Sequence, residues 1–249
     1  MAAFLLVHGS CHGAWCWRDV IPALTGLGHS ARAVDLPAHG EDRTPAAAAT
    51  LDLYADAILA AADCGVTLVG HSAAGYPITL AAMRAPDRFR RMVYLCAYVP
   101  AAGRSLVEMR RAGPRQPLRG IVRPDPGGIT YSVDPAGARA TFYHDCPDEA
   151  LDFALPRLCP EPVLPQSTPL PPHDDGPQVE RHYVLCEDDH TIPPEYQETM
   201  AAPFAPGRVH RLPCGHSPFF AMPARLAALL AAIARDGSSA PLPFARAPG

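Results

Sequence analysis

A serine, a histidine and a carboxylate can together run nucleophilic catalysis, and this chain offers all three in a telling order. Ser72 stands at the end of an apolar run, Val66-Thr-Leu-Val-Gly-His-Ser-Ala-Ala-Gly75, between very small residues. A serine on a sharp strand-to-helix turn holds its hydroxyl above the sheet edge, and small neighbours make that turn sterically possible. The usual spacing is G-x-S-x-G; here Ala74 fills the fifth position and the glycine is displaced to Gly75. A serine hydroxyl is a weak nucleophile at neutral pH, so it needs a histidine base, and the histidine needs a carboxylate to fix its tautomer. Such an acid and histidine are expected in loops after the penultimate and last strands. Cys186-Glu-Asp-Asp-His190 and Cys214-Gly-His216-Ser-Pro218 occupy those places, making His216 the candidate base. Spacing alone leaves the acid open among Glu187, Asp188 and Asp189. No Asp or Glu lies between Asp87 and Glu108, which removes the alternative position after the preceding strand. The oxyanion needs two backbone donors, expected from Ala73 and from Ser10 in the first loop.

The elements that must position these residues are readable in outline. Ala3 to Val7 reads as a buried parallel strand, followed by a glycine-bounded loop and a helix from Trp15 to Leu24 interrupted by Pro22. Ser30 to Val34 is the next strand. Leu51, Tyr54, Ala55, Ile58, Leu59 and Ala62 share one helical face, with Thr50 placed to cap the helix. After the Val66 strand a helix is expected from Ala73 to Met83. Pro77 would then sit just beyond its first turn, where proline opposes a helix. Met92 to Ala97 and His182 to Cys186 read as strands, Ile192 to Met200 as a helix, Gly207 to Leu212 as the last strand, and Pro223 to Arg235 as the last helix. Strand and helix alternate, which predicts an α/β fold with a mostly parallel sheet and helices on both faces.

Residues 101–180 interrupt that pattern. They hold about half of the chain's 30 prolines and read as an inserted cap between two core segments, 1–100 and 181–236, with 237–249 as a flexible tail. The first part of the cap carries Arg104, Arg110, Arg111, Arg115, Arg119 and Arg123; the later part carries Asp145, Asp148, Glu149, Asp152, Asp174 and Asp175. Solvation and mutual pairing are the expected roles. An arginine that binds a substrate carboxylate is the functional alternative.

Composition excludes several classes. The chain has 249 residues, 48% of them hydrophobic, enough for one sizeable core, and a formal charge of -4 gives no general attraction to nucleic acid. The apolar start, Phe4 to Val7, is too short for a signal-peptide core or a membrane span, so a cytoplasmic protein is the expectation. The eight cysteines form no C-x-x-C pair and read as reduced core residues; no histidine spacing suggests a metal. All 21 basic residues are arginine, which excludes a phosphate-binding P-loop lysine and a pyridoxal Schiff base. No cofactor is expected, and a homodimer is compatible with this composition.

Leu6-Val-His-Gly-Ser-Cys-His-Gly-Ala-Trp15, Gly70-His-Ser72, Tyr94-Leu-Cys-Ala-Tyr-Val-Pro100, Phe142-Tyr-His-Asp-Cys-Pro-Asp-Glu149 and Ile192-Pro-Pro-Glu-Tyr-Gln197 together carry a family resemblance. The chain resembles the plant-type methylesterase and hydroxynitrile-lyase branch of the α/β-hydrolase superfamily, which includes the salicylate-binding esterases. The resemblance implies an α/β-hydrolase fold and places the catalytic aspartate three residues before Ile192, at Asp189. Lyases of the branch carry a threonine after the first-loop histidine and a lysine after the catalytic histidine. Gly9 and Ser217 stand there instead, so the resemblance implies a serine carboxylesterase, and the apolar, aromatic residues of the cap (Tyr131, Phe142, Tyr143, Leu151, Phe153) point to a small aromatic or alkyl ester. The rival readings are a lyase and a binding protein without turnover. His8, His12 and His39 lie on rim loops where structural roles are expected. His12, Tyr131, Phe142 and Ser217 are the candidates for substrate contact.

Overall fold

In the computed structural model, which describes residues 1–171 and 177–235, six parallel strands form the main sheet in the order β2-β1-β3-β4-β8-β9. These are β1 (Ala3–Val7), β2 (Ser30–Val34), β3 (Val66–His71), β4 (Phe89–Leu95), β8 (Glu180–Cys186) and β9 (Val209–Leu212). The helices that follow the strands are α1 (Val20–Gly26), α2 (Leu51–Ala61), α3 (Gly75–Arg84), α8 (Pro194–Ala201), α9 (Pro218–Ala221) and α10 (Pro223–Arg235).

Parallel strands buried on both faces must be apolar on both, and alternate residues serve two cores. Leu5, Leu68, Met92, Tyr94 and Leu185 enter a core with α2, α3 and α8. Phe4, Leu6, Val69, Val93, Val184 and Cys186 enter the opposite core, with Leu24 of α1 and Leu226 and Leu230 of α10. The Thr50 hydroxyl accepts a hydrogen bond from the Leu53 amide, capping α2.

Three local expectations are corrected. The helix expected from Trp15 is a short 3-10 turn, Ala14–Trp17, and α1 starts only at Val20. A 3-10 turn also occupies Ser72–Ala74, so α3 begins at Gly75 and Pro77 falls inside its first turn, where an amide has no partner within the helix. None of the six arginines singled out pairs with Asp145, Asp148, Glu149 or Asp152; the one ion pair that any of the six makes inside residues 101–180, among the described residues, is that of Arg123 with Asp134. Arg115 pairs with Glu195, Arg123 lies 3.9 Å from Asp134, and Arg139 takes Asp148. Asp174, Asp175 and the expected tail lie outside the described residues.

Between β4 and β8 the chain leaves the sheet. It forms α4 (Leu106–Ala112), β5 (Val122–Pro124), β6 (Thr130–Val133), α5 (Pro135–Phe142), α6 (Asp148–Ala154), β7 (Glu161–Pro162) and α7 (Val163–Ser167). The three strands pair as a small antiparallel sheet. Among the described residues no helix is long and apolar enough to cross a membrane.

Candidate active site

Strand β3 delivers Ser72 to the carboxyl edge of the sheet, and the turn that follows is tight. Ser72 has φ +55°, a left-handed conformation that costs a non-glycine residue about 1–2 kcal/mol. The elbow is held by its neighbours: the Tyr98 amide donates to the Ser72 carbonyl at 3.1 Å. A Cβ at Gly75 would run into the Tyr98 carbonyl oxygen, so the position that must be glycine is Gly75, while the Ala74 methyl packs in the core. At Gly9 a Cβ would lie 2.8 Å from the Ser72 Cβ, which lets the first loop close on the elbow.

The loop after β9 brings His216 to Ser72, with Nε2 3.0 Å from the serine Oγ. Its Nδ1 lies 2.8 Å from Asp189 Oδ2. Of the three candidate acids, Asp189 is the one bonded to His216. Asp188 is exposed and turns to His144 and His190, and Glu187 lies near Arg211. Asp189 is 2% exposed, and its carboxylate is fully engaged. Oδ1 accepts from the Thr191 and Ile192 amides at 2.7 and 2.8 Å, and Oδ2 also accepts from Gln197 Nε2 at 2.8 Å. Four donors hold this carboxylate in one orientation, and through it the histidine ring. His71 braces the other side by donating from Nε2 to the His216 carbonyl at 2.8 Å. Burial, then the neighbouring His216, hold His71 well below the usual histidine range, so it acts as a neutral donor.

The first loop carries Ser10 and Ala73 faces Ser72 from the elbow; both line the cavity, and neither amide has a protein acceptor among the described residues. The loop is fixed from β7. The Cys11 amide donates to Glu161 Oε2 at 2.7 Å, and the same oxygen meets His39 Nε2 at 2.9 Å. The Cys159 amide donates to the Cys11 carbonyl at 3.0 Å, and Gln166 Nε2 donates to the Ser10 hydroxyl at 2.7 Å. Cys11 itself has φ +62°, a strained conformation that these bonds hold in place. Burial opposes a charged His39, but Glu161, helped by the Pro37 carbonyl and Asp35, outweighs this and raises its pKa.

Ser72 opens on a narrow cavity between the sheet edge and residues 101–180. His12, Tyr131 and Phe142 line it, as do Leu106, Arg110 and Gln166. His12 is locked, donating from Nδ1 to the Ser10 carbonyl and accepting from the Tyr143 hydroxyl, and burial pushes it down to about 4. It is therefore a neutral wall of the cavity at pH 7. Ser217 is corrected: it is fully buried behind His216 and does not line the cavity, and its carbonyl accepts from the Phe220 and Ala221 amides at the start of α9. Sequence reasoning missed Glu161, Gln166, Gln197 and His71. Gln197 and His71 had a signal, as the last residue of the Ile192 to Gln197 run and the middle residue of Gly70-His-Ser72.

Among the described residues two groupings have metal-ligating side chains close together. His71, Cys96 and His216 are one, but the two nitrogens of His216 are committed to Ser72 and Asp189. The other is His144, Asp188 and His190 at the surface, where hydrogen bonds to Asp188 and stacking of the two rings at 3.7 Å account for the grouping.

The profile of the alpha/beta hydrolase family matches residues 4–229. The chain belongs to that family. It is 33% identical to the rice (Oryza sativa subsp. japonica) esterase PIR7B over 82% of this chain and 84% of that one. It is 30% identical to methylesterase 1 of Arabidopsis thaliana, over 90% and 92%. Among solved structures, a pyrethroid hydrolase from Sphingobium faniae superposes with a TM-score of 0.81 at 27% identity, covering 95% of this chain and 98% of that one. The fold expected from the sequence and the resemblance to the plant-type methylesterase branch are both borne out.

Proposed function

We propose that this α/β hydrolase is a serine carboxylesterase that cleaves small esters through an acyl-enzyme. The observation that carries the reading is the chain of hydrogen bonds from Ser72 through His216 to Asp189, at 3.0 and 2.8 Å, at the floor of a cavity in a family whose similar members include esterases and methylesterases. Ser72 Oγ attacks the ester carbonyl carbon while His216 Nε2 takes its proton. The tetrahedral oxyanion is met by the Ser10 and Ala73 amides. Collapse breaks the ester C–O bond, and His216 gives the proton to the departing alcohol. Water then attacks the acyl-serine with His216 again as base, which releases the acid and restores Ser72. Asp189 holds the imidazole with Nδ1 protonated and stabilises its charged form.

The remaining wall is apolar and aromatic, Leu106, Tyr131, Val133 and Phe142, which suits an alkyl or aryl group on the ester. Residues 101–180 act in this reading as the cap that closes the site over core segments 1–100 and 181–236. Gly9 and Ser217 stand where the lyases carry their threonine and lysine, and the chain has no lysine at all.

The test is hydrolysis of 4-nitrophenyl acetate through octanoate and of methyl esters of aromatic acids, by wild type and Ser72→Ala in parallel. Wild type should turn over at least one ester, and the variant should lose that activity while keeping its thermal midpoint. Turnover that survives in Ser72→Ala removes the mechanism.

A further inference from the structure

Arg110, on α4, lines both the cavity in front of Ser72 and a larger outer cleft that opens beyond it. Tyr98, Leu118, Val122 and Thr191 line both spaces too, so the arginine stands at their junction. It is half-buried, and among the described residues its guanidinium has neither a hydrogen-bond acceptor nor an ion-pair partner. It is also the only permanently charged side chain among the described residues that line the inner cavity. Among the described residues no carboxylate lines either space. The outer cleft adds Arg111, Arg115 and Arg119, of which Arg115 is engaged by Glu195.

A partly desolvated cation without a counter-ion is an unfavourable arrangement unless something pairs with it. A guanidinium presents a planar fork of donors that matches a carboxylate. We propose that the site selects esters bearing an anionic group, a carboxylate above all, away from the scissile bond, and that Arg110 binds that group while the ester carbonyl lies at Ser72. This rests on the esterase reading above and names its substrate class. The apolar walls would hold the carbon skeleton between the two ends.

Two pairs of esters test it: mono-4-nitrophenyl adipate against 4-nitrophenyl hexanoate, with the charge on the acyl side, and 4-acetoxybenzoate against 4-methylphenyl acetate, with the charge on the alcohol side. Each kcat/KM is divided by the ester's rate with hydroxide, which removes intrinsic reactivity. In wild type the charged member of at least one pair should be preferred about tenfold or more, the scale of one charge-assisted contact. Arg110→Gln should reduce that ratio about tenfold, and Arg110→Lys should keep part of it because the charge remains while the fork is lost. A wild-type ratio at or below one in both pairs overturns the proposal, as does a ratio unchanged in Arg110→Gln. Ser72-dependent hydrolysis of the neutral esters would in those cases leave the esterase reading standing. No hydrolysis of any of the four esters would refute both.

Discussion

Replacing Glu161 by alanine tests whether residues 101–180 hold the loop that carries Ser10, the oxyanion donor we propose. The carboxylate is 2% exposed and a single oxygen serves two donors, the Cys11 amide at 2.7 Å and His39 Nε2 at 2.9 Å. Removing it leaves a buried N–H and a buried histidine without their partner. Breaking a buried pair from one side costs about 3–5 kcal/mol. For a chain of this size that is a fall in thermal midpoint of roughly 10 °C. The catalytic effect follows from position: Cys11 is next to Ser10, and loss of one oxyanion donor costs about 10²–10³ in kcat. Glu161→Ala should therefore lower kcat by about 10² with a much smaller change in KM. Glu161→Gln should restore most of the kcat, because the amide oxygen can still accept from Cys11, while the charge interaction with His39 is lost. Thermal unfolding and steady-state kinetics on one 4-nitrophenyl ester read both effects. A Glu161→Ala enzyme with kcat within twofold of wild type, or one that Glu161→Gln does not improve on, refutes the reasoning.

The same contact has a pH signature. His39 is raised in the folded protein, so its stabilisation is fully present below the ordinary histidine value of about 6.5 and is lost as pH rises through the folded value. The midpoint gap between wild type and Glu161→Gln should be wider at about pH 6 than at about pH 9; an equal gap at both contradicts the pairing. Asp189→Asn should reduce kcat by about 10⁴, through the wrong histidine tautomer, while Asp188→Asn stays within about twofold. Comparable losses in the two variants would move the acid's role elsewhere. Gly75→Ala forces a methyl against the Tyr98 carbonyl and should cost about 3 kcal/mol, read as a lowered midpoint, whereas Ala74→Gly should cost less than half of that.

The sheet was legible because strands buried on both faces must be apolar runs, and β1, most of β3 and the Met92–Leu95 part of β4 are; Arg90 and Arg91 hid the start of β4. Helix α2 was legible from its apolar face and from Thr50. The expected helix at Trp15 failed because composition does not separate a 3-10 turn from an α-helical one, and the start of α3 was displaced for the same reason. At the site, Ser72 and His216 stand out by their place after strands. The acid needed the family resemblance, since three neighbouring acids differ only in which way the loop turns them. Glu161 was invisible: it is one acid in a proline-rich stretch, and its partners lie 122 and 150 residues away. Arg110 was visible only as one of six arginines. What distinguishes it is the junction it occupies, a property of the fold.

The most direct measurement of the central claim is the mass of the protein quenched within the first turnover of 4-nitrophenyl acetate, followed by peptide mapping. The account predicts one acetyl group on the peptide containing Ser72, accumulating in His216→Ala if acylation still proceeds there and absent from Ser72→Ala. An enzyme that hydrolyses the ester with the label on another residue, or a Ser72→Ala protein that still turns it over, would contradict the account.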